Sequence, residues 1–511
     1  MSRADYKYHR VPDVARLHSV LLAEKTVNAP IRTFLSYDRL KVKWFPLQSD
    51  LCGLSKFKFV SVLFALTLTF MVGASYVLSG SRDRLLFIPP PYQIFTSVVP
   101  PSSLEERLID LVNLIESKLE YPPRRAPDPS EVMRNDSQVF SRIPHQFLPG
   151  VKSPCWYEKI SSEIAADLYK TNNYNQKSVF KSAAQRLRSR FQHLYQGKQH
   201  RLRCLPYFYI IGQPKCGTTD LFYRLMMHPE VRFNIMKEPH WWTRRRFGDT
   251  RVKGGFDGRF PLQDYLDLFD YAAFKIEEAK TGNSTGDLSS LIVTGEASAS
   301  TMWDNKAWSC LHGDKGDSGP PFLVQDFIHT VQPAAKIIVM LRDPGERLYS
   351  DYLYFNTGNK SAQDFHQRVT ESVQLFQSCL LERSLRSCVY NTTLSKMMAV
   401  RLHLGMYVVF LLDWLTVFHR DQVLVLRLED YAVSFKKCMK KVTDFLALGP
   451  LSKPEEASLT DQPMYNSRRE KDRQLGPMLP TTRTLLREYY KPFNQKLARV
   501  LDDAVFLWSD T

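Results

Sequence analysis

A short apolar run at residues 206–211 leads directly into a loop with two glycines and then into a helical stretch. A second apolar run, at residues 336–341, is again followed by a loop and a helix. A third apolar run, at residues 422–427, comes after an amphipathic helix. Short buried runs that alternate with helices are typical of parallel strands covered on both faces. The pattern therefore predicts an α/β fold with a central parallel sheet over residues 205–511, preceded by a helical lead-in at residues 151–204.

Residues 59–79 form a run of 21 residues without a charged side chain. A helix of this length, at about 1.5 Å per residue, spans the roughly 30 Å hydrocarbon core of a bilayer. The alternatives are a buried core helix or a cleaved signal peptide, although a signal peptide is shorter and lies nearer the amino terminus. The preceding 58 residues carry eleven Lys and Arg against five Asp and Glu. Because positive flanks stay cytoplasmic, we expect a cytoplasmic tail at residues 1–58, a transmembrane signal-anchor helix, and a lumenal remainder.

The segment after the apolar run is rich in proline, which interrupts regular structure and stiffens a chain. We expect a stem over residues 80–150 with one short helix near residues 104–119. Four Asn-x-Ser/Thr sequons follow the apolar run and none precedes it, as expected for a lumenal chain. The predicted glycosylation sites are Asn135, Asn283, Asn359 and Asn391.

Seven of the eight cysteines lie beyond the apolar run, where an oxidising lumen permits disulfides. Cys379 and Cys388 are close enough in sequence to close a short loop, and we predict that they pair. Sequence does not determine how the other candidates connect. Those candidates are Cys155, Cys204, Cys310 and Cys438. The sequence has no Cys-x-x-Cys pair that would indicate a metal site.

The chain carries a formal net charge of +16, which suits nucleic acid, an anionic membrane or an acidic ligand. Zinc-finger spacing, RNA-binding signatures and long Lys/Arg runs are missing from the sequence, so nucleic acid is not indicated. Between residues 232 and 259 there are eight Lys and Arg and three acidic residues. We predict a cationic rim for an anionic glycan at Arg244, Arg245 and Arg246; a solvated basic loop is the alternative.

The loop at residues 212–219 reads Gly-Gln-Pro-Lys-Cys-Gly-Thr-Thr and joins the first predicted strand to its helix. Backbone N–H groups and the dipole at a helix start favour a phosphate there. Gly217 permits close backbone approach, and Lys215 adds a mobile charge. The order differs from a Walker A loop, in which the lysine follows the second glycine. A glycine-containing turn without a ligand is the alternative interpretation.

This loop resembles the 5′-phosphosulfate loop of the PAPS-dependent sulfotransferases. That family has a second motif, an arginine followed eight positions later by a serine, which Arg342 and Ser350 match after the second predicted strand. The resemblance implies that these two residues bind the 3′-phosphate of PAPS, for which the planar fork of arginine is well suited. It also implies donor contacts from the loop residues Lys215, Cys216, Gly217, Thr218 and Thr219. The reaction needs no obligatory metal, and the strand-end carboxylate that a kinase would use for Mg²⁺ is not apparent.

A basic stretch at residues 468–476 precedes the last predicted helix. In the Golgi sulfotransferases a loop at this place often closes over the nucleotide. By this resemblance Arg469 and Lys471 are candidate donor contacts, and a solvated charged face is the alternative.

Residues 237–242 read Lys-Glu-Pro-His-Trp-Trp and resemble a segment of the heparan and chondroitin sulfotransferases in which the glutamate is the proposed base. Glu238 is thus the candidate that removes the proton of the acceptor hydroxyl, and His240 is a competing base or an orienting group. Lys215, assisted by Lys237, would neutralise charge on the leaving phosphate oxygen. The alternatives are an ion pair between Glu238 and a neighbouring arginine, and a structural role for His240. The two tryptophans are expected in the core or the pocket wall, with sugar stacking as a further possibility.

Residues 294–301 resemble a family segment that lines the acceptor cleft after a strand, which makes Glu296 a secondary candidate there. The motifs cover about residues 205–508 in family order. The amino-acid sequences of these motifs most resemble those of certain Golgi carbohydrate sulfotransferases. Those enzymes add a 6-sulfate to N-acetylgalactosamine 4-sulfate in chondroitin or dermatan sulfate, which gives E-type disulfated units. The resemblance implies a P-loop-like sulfotransferase fold, PAPS as donor, that glycan as acceptor, and a single-pass type II protein of the Golgi membrane.

Three other functions stay open at this point. A different glycosaminoglycan position, such as one in heparan sulfate, is the first, although proline at position 239 departs from the small or apolar residue of the heparan enzymes. A P-loop kinase would bind ATP with Mg²⁺. A non-catalytic glycan-binding membrane protein would bind without transfer, but the joint presence of donor and base candidates argues against a decayed site.

Overall fold

The computed structural model describes residues 104–162, 167–248, 258–281, 291–307, 319–356, 358–465 and 468–509. The predicted tail, the signal-anchor segment and the first part of the predicted stem lie outside these residues. Within them, no helix is both long and apolar enough to cross a membrane.

The described residues form short strands that are joined mainly by helices. The strands are β1 (Cys155–Lys159), β2 (His200–Cys204), β3 (Phe208–Gly212), β4 (Gly295–Glu296), β5 (Lys336–Leu341) and β6 (Val423–Arg427). The helices are α1 (Leu104–Leu119), α2 (Pro129–Asn135), α3 (Ser137–Phe140), α4 (Ser178–Tyr195), α5 (Thr218–Met226), α6 (Leu262–Leu266), α7 (Asp270–Thr281), α8 (Val324–Val331), α9 (Pro344–Phe355), α10 (Ala362–Glu382), α11 (Leu385–Tyr390), α12 (Thr392–Met397), α13 (Tyr407–Leu415), α14 (Leu428–Val433), α15 (Phe435–Phe445), α16 (Lys453–Thr460), α17 (Glu470–Arg473) and α18 (Pro480–Leu501).

The central sheet has the strand order β4-β3-β5-β6, and its neighbouring strands are parallel. In the register, Ile210 pairs with Ile338, and Leu341 pairs with Arg427. The three strands predicted from sequence are therefore confirmed, with β5 matching its predicted bounds. Because all strands run the same way, the loops that follow them meet at one edge of the sheet, where α/β proteins bind ligands.

The sheet separates two apolar cores. Tyr209, Ile337 and Val339 face the larger core, to which α10, α13 and α18 contribute. The alternate residues Ile210 and Ile338 face the smaller core, formed with α5 and α15. Successive side chains of a strand point to opposite faces, so burial on both faces requires an uninterrupted apolar run. This requirement explains why the strands were recognisable in the sequence.

The helical lead-in predicted for residues 151–204 needs a correction. Its middle is α4, but its two ends are the strands β1 and β2, which pair antiparallel with Cys155 opposite Cys204. These two cysteines form a disulfide. The pairing joins segments 49 residues apart, a separation that local helical periodicity does not reveal.

The helix predicted near residues 104–119 is confirmed as α1. It was expected within a stem, but it packs against the larger core of the α/β fold. Leu111, Ile115 and Leu119 recur at helical spacing and are buried in the larger core. The guanidinium of Arg124 lies 2.6 Å from the carboxylate of Asp326 in α8. The second part of the predicted stem is therefore a component of the folded domain.

The predicted pairing of Cys379 with Cys388 is confirmed, and the bond joins the end of α10 to α11. Cys216 and Cys438 are buried thiols without a disulfide partner. Cys310 lies outside the described residues.

Candidate active site

The loop between β3 and α5 has the backbone geometry of a close-approach turn. Gly217 has φ 88° and stands immediately before α5. A Cβ at this position would lie 2.7 Å from Cδ1 of Leu428, so both the backbone conformation and the space favour glycine. The N–H of Gln213 donates to the carbonyl of Met340 at 2.8 Å, which fixes the start of the loop against β5. The first-turn N–H groups of α5 are thereby held at the sheet edge.

The other predicted donor residues of this loop differ in exposure. Thr218 is buried, Thr219 is half-buried, and both occupy the first turn of α5. Cys216 is fully buried, and burial raises the pKa of its thiol to about 12. Cys216 is therefore a neutral packing residue whose contribution to a ligand is its backbone.

Lys215 lies where three of the predicted motifs meet. Its φ of 70° turns the residue out of the loop, and its Nζ lies 3.7 Å from the ring centroid of Tyr354 in α9. Burial lowers the pKa of Lys215 to about 8; Asp351 opposes this shift, and the charges of Arg342, Arg469 and Arg401 reinforce it. Among the described residues, no hydrogen bond or ion pair to the ammonium is found. A half-buried cation among other cations is a site prepared for an anion.

The second donor motif begins where β5 ends. Arg342 follows the strand, and Asp343 caps α9 by accepting the N–H of Glu346 at 2.7 Å. The guanidinium of Arg342 lies 3.4 Å from the carboxylate of Glu346. The backbone carbonyl of Arg342 accepts a hydrogen bond from the hydroxyl of Tyr407 at 2.8 Å. Ser350 is half-buried within α9. Gly212 pairs with Val339, so Lys215 and Arg342 each lie three residues beyond one paired position of the sheet.

The basic stretch at residues 468–476 is anchored on α9. The hydroxyl of Tyr349 donates to the carbonyl of Gly476 at 3.1 Å, and the guanidinium of Arg468 lies 5.4 Å from the Tyr349 ring. Arg469 lies 5.4 Å from the ring of Tyr354, the ring that Lys215 contacts. Lys471 is exposed. Through α9 the structure brings Lys215, Arg342 and Arg469 to one surface.

Glu238 is held in one orientation by two neighbours. Its Oε2 accepts the N–H of Ala299 at 3.0 Å, and its Oε1 pairs with the ammonium of Lys237. Burial raises the pKa of Glu238, but the charge of Lys237 and these hydrogen bonds outweigh it, so the pKa lies below its ordinary value. Glu238 also has φ 58°, a conformation that non-glycine residues rarely adopt. Glu238 does form an ion pair, but its partner is Lys237 and not the neighbouring arginine of the alternative interpretation. The carboxylate is ionised at neutral pH.

His240 is fixed by the segment that follows β4. Its Nδ1 lies 2.8 Å from Oγ of Ser300, and its backbone N–H donates to Oγ of Ser298 at 3.1 Å. Burial lowers the pKa of His240 to about 4. The imidazole is consequently neutral near pH 7 and can donate or accept one proton through Nε2.

Glu296 lies in the interior beside the base candidate. It is 2% exposed, and among the described residues its Oε1 has no hydrogen-bond partner. Burial raises the pKa of Glu296 to about 8, with a hydrogen bond from Ser298 opposing and the charge of Glu238 adding to the shift. Glu296 is therefore largely protonated at neutral pH, and its place in the acceptor cleft stays a prediction.

The carboxylate of Glu238 and the donor loop are joined by the residues after β4. The N–H of Met302 donates to the carbonyl of Ile211 at 2.9 Å, close to the end of β3. Ala299, which binds Glu238, precedes Met302 by one turn of the chain, and a Cβ on Gly212 would lie 3.6 Å from its carbonyl oxygen. The base candidate therefore stands at the same sheet edge as the donor loop.

The three arginines of the predicted cationic rim differ in solvent exposure. Arg245 is exposed, and Arg244 forms an ion pair with Asp304, with Nε 2.6 Å from Oδ2. Arg246 is buried, pairs with Asp136, and lies 5.1 Å from the ring of Trp242. Arg246 therefore stabilises the interior and does not extend the rim. Local charge density in the sequence could not distinguish these three positions.

Trp241 and Trp242 are core residues. They are 2% and 1% exposed, and their indole N–H groups donate to Phe260 and Tyr265 at 2.8 and 3.0 Å. Sugar stacking is thus excluded for both in this structure. Sequence reasoning instead missed Tyr354 and Arg401, although Tyr354 lies one helical turn after Ser350 in the recognised motif.

Two predicted glycosylation sites are accessible and one is not. Asn135 and Asn359 are exposed. Asn391 is 8% exposed, and its side chain caps α12 by accepting the N–H of Leu394 at 2.9 Å. Asn283 lies outside the described residues. Among those described, no group of three or more metal-ligating side chains is found.

Several known proteins are similar to this chain. The family described as sulfotransferase domain matches residues 322–475. Carbohydrate sulfotransferase 15 of Mus musculus is 50% identical over 486 residues, covering 89% of this chain and 87% of that protein. Its Homo sapiens counterpart is 49% identical over 486 residues, with the same coverage. A solved sulfotransferase from Alicyclobacillus acidocaldarius is 20% identical, covers 58% of this chain and 96% of that chain, and has a TM-score of 0.37.

The segment matched by the domain family contains the Arg342 motif, α9 and the basic stretch near Arg469, so the α/β part is a sulfotransferase domain. Identity of about one half over most of both chains shows more: this protein belongs to the carbohydrate sulfotransferase family. The chain is accordingly a sulfotransferase enzyme.

Proposed function

We propose that this enzyme transfers a sulfuryl group from PAPS to the 6-hydroxyl of N-acetylgalactosamine 4-sulfate in chondroitin or dermatan sulfate, producing E-type disulfated units. The main support is one relationship in the fold. The charges of Arg342 and Arg469 act on Lys215, and an ionised Glu238 stands at the same sheet edge. A bisphosphorylated donor and a hydroxyl acceptor are the pair of ligands that such an arrangement suits.

The chain's own charges fit PAPS. Arg342, Arg401 and Arg469 all oppose the charge of Lys215. Asp351 favours that charge but already pairs with Arg401, and Glu346 pairs with Arg342. Positive charge therefore exceeds negative charge at this surface, and a nucleotide with several phosphate oxygens would compensate it. The N–H groups of the α5 first turn and Lys215 would hold the 5′ side, and Arg342 with Ser350 the 3′-phosphate. When bound, PAPS supplies the activated sulfuryl group.

Glu238 is the base that removes the proton of the acceptor hydroxyl. The carboxylate is ionised at neutral pH, and it is oriented by Ala299 and Lys237 before any substrate arrives. A fixed base avoids the reorganisation that a mobile side chain would need during the reaction. The neutral imidazole of His240 is placed to orient the acceptor hydroxyl beside this carboxylate. Lys215 contributes positive charge on the donor side, where negative charge grows as transfer proceeds.

A lumenal, membrane-anchored location is part of the same proposal. The uncharged run at residues 59–79 and its basic flank support a type II signal anchor of the Golgi membrane. Two disulfides in the described domain support an oxidising compartment. Chondroitin and dermatan sulfate are assembled in such a compartment, so acceptor and enzyme would meet there.

The proposal is tested with full-length enzyme in detergent and labelled PAPS. Chondroitin 4-sulfate, dermatan sulfate, desulfated chondroitin and heparan sulfate serve as acceptors, followed by disaccharide analysis of the products. We expect label in 4,6-disulfated N-acetylgalactosamine units. Label only in heparan disaccharides would overturn the acceptor assignment, and transfer from ATP in place of PAPS would overturn the donor assignment.

A further inference from the structure

Two neighbouring aromatic side chains are exposed at the end of α9. Tyr354 is 44% exposed and Phe355 is 40% exposed, whereas most aromatic residues of the domain are buried. Their ring centroids are 4.7 Å apart with the planes at 77°. Adjacent exposed rings are a feature of surfaces that bind another molecule. We call these two residues the α9 aromatic pair.

The α9 aromatic pair is surrounded by positive charge. Nζ of Lys215 lies 3.7 Å and the guanidinium of Arg469 lies 5.4 Å from the Tyr354 ring, and the guanidinium of Arg401 lies 4.3 Å from the Phe355 ring. In the described part of the chain, no carboxylate pairs with Lys215 or Arg469. The surface therefore favours a ligand that combines an apolar ring face with negative charge.

A continuous row of contacts connects the pair to the base candidate. Ala299 donates its N–H to Glu238, and its carbonyl accepts the indole N–H of Trp303 at 3.1 Å. Trp303 in turn lies 6.0 Å from the guanidinium of Arg401, which packs on Phe355. Ala299, Trp303 and Arg401 thus link the α9 aromatic pair to Glu238.

We propose that Tyr354 and Phe355 form a subsite for one sugar ring of the acceptor glycan, whose sulfate or carboxylate faces the surrounding cations. The proposal rests on the proposed function and adds the residues that recognise its acceptor. Pyranose rings present C–H groups on one face, which pack against aromatic rings in the way that aromatic edges do. Because Lys215 also contacts Tyr354, filling the donor site would draw its ammonium toward phosphate and leave the ring face to the sugar.

The test compares Phe355→Leu and Tyr354→Leu with the unchanged full-length enzyme. Steady-state rates give the acceptor KM with chondroitin 4-sulfate, and calorimetric titration gives the Kd of PAP, the donor product. We expect Phe355→Leu to raise the acceptor KM about fivefold while the PAP Kd stays within about twofold. Tyr354→Leu raises the acceptor KM by a similar factor. Tyr157, which is equally exposed on β1, provides the matched control, and Tyr157→Leu leaves both constants unchanged.

Two results would overturn the subsite. One is an unchanged acceptor KM in Phe355→Leu; the other is a PAP Kd that weakens as much as the acceptor KM, because the ring would then serve the nucleotide. If the unchanged enzyme sulfates no glycosaminoglycan, the proposed function fails on its own. Titration of chondroitin 4-sulfate oligosaccharides into the PAP-saturated proteins then decides the subsite: weaker binding to Phe355→Leu supports it, and equal or absent binding to both proteins rejects it.

Discussion

Nε2 of His240 lies 3.6 Å from Oε2 of Glu238, and the imidazole is neutral while the carboxylate is charged. Burial keeps His240 neutral, with a pKa of about 4, while Lys237 and the Ala299 N–H keep Glu238 ionised. Both residues also have positive φ, at 53° and 58°. Backbone strain of this kind is tolerated where neighbours determine the conformation, here the segment after β4. In the proposed reaction, Glu238 would be the proton acceptor and His240 the orienting group.

Replacing Glu238 by glutamine should remove turnover and retain donor binding. The amide keeps the shape and the Ala299 hydrogen bond, but it accepts no proton, so we expect kcat to fall about 10²- to 10⁴-fold. The PAP Kd should change less than about threefold. Glu371→Gln, an exposed substitution on α10, serves as control and should retain full activity. A Glu238→Gln enzyme with most of its kcat would transfer the role of base to His240.

Donor affinity should depend on pH through Lys215. The free enzyme has a Lys215 pKa of about 8, and only the protonated ammonium attracts phosphate. Raising the pH through 8 deprotonates Lys215, so the PAP Kd should weaken by up to about tenfold per pH unit above that value. Phosphate groups are already ionised there and contribute no opposite trend. Calorimetric titration between about pH 7 and 9.5 measures the effect.

Lys215→Arg is the matched variant for that experiment. It retains positive charge across the whole range and should bind PAP with little pH dependence, although more weakly because the geometry differs. A pH-independent Kd in the unchanged enzyme would show that the Lys215 ammonium does not contact the donor.

Alanine at Gly217 should disturb the donor loop more than alanine at another left-handed glycine. Gly217 and Gly150 have φ of 88° and 76°, but a Cβ at Gly217 would lie 2.7 Å from Leu428, whereas at Gly150 it meets nothing within 4 Å. Both variants carry a backbone cost of about 1–2 kcal/mol. We expect Gly217→Ala alone to weaken PAP binding, by about tenfold or more, in a titration run beside thermal unfolding. Equal PAP affinity in the two variants would contradict this account of the loop.

Glycan occupancy should follow exposure. In full-length protein produced in animal cells, Asn135→Gln and Asn359→Gln should each remove one glycan, seen as a mass decrease that matches the effect of enzymatic deglycosylation. Asn391→Gln should leave the mass of the glycans unchanged, because Asn391 is buried as a helix cap. Loss of that cap should lower stability by about 1 kcal/mol in denaturant unfolding. A glycan found on Asn391 in folded protein would contradict the observed cap.

Much of the architecture was recognisable because it depends on short stretches of chain. β5 coincides with its predicted run, α1 with its predicted helix, and Cys379 pairs with Cys388 within one local loop. The Cys155–Cys204 hairpin was missed because its two strands are separated by α4. Pairing over that distance leaves no periodic signal in either strand alone.

The site was predicted unevenly for a related reason. Residue type and spacing identified Lys215, Glu238 and Arg342, since loops that follow parallel strands must meet at one sheet edge. Exposure and charge state depend on neighbours from elsewhere in the chain. Arg246 resembles Arg245 in sequence, but Asp136 and aromatic rings enclose it. Glu296 resembles any strand-end carboxylate, but its burial beside Glu238 keeps it protonated.

Sequence by itself determined three strands of the central sheet, the phosphate-type loop and the candidates for the reacting groups, because these are carried by local periodicity and side-chain chemistry. Only the tertiary structure decided that Tyr354 stands against Lys215, that His240 is neutral beside Glu238, and that the Trp241 and Trp242 rings are core. The physical reason is that solvent exposure and electrostatic potential at a side chain are set by all the groups around it, and those groups assemble only when the sheet and its covering helices have formed.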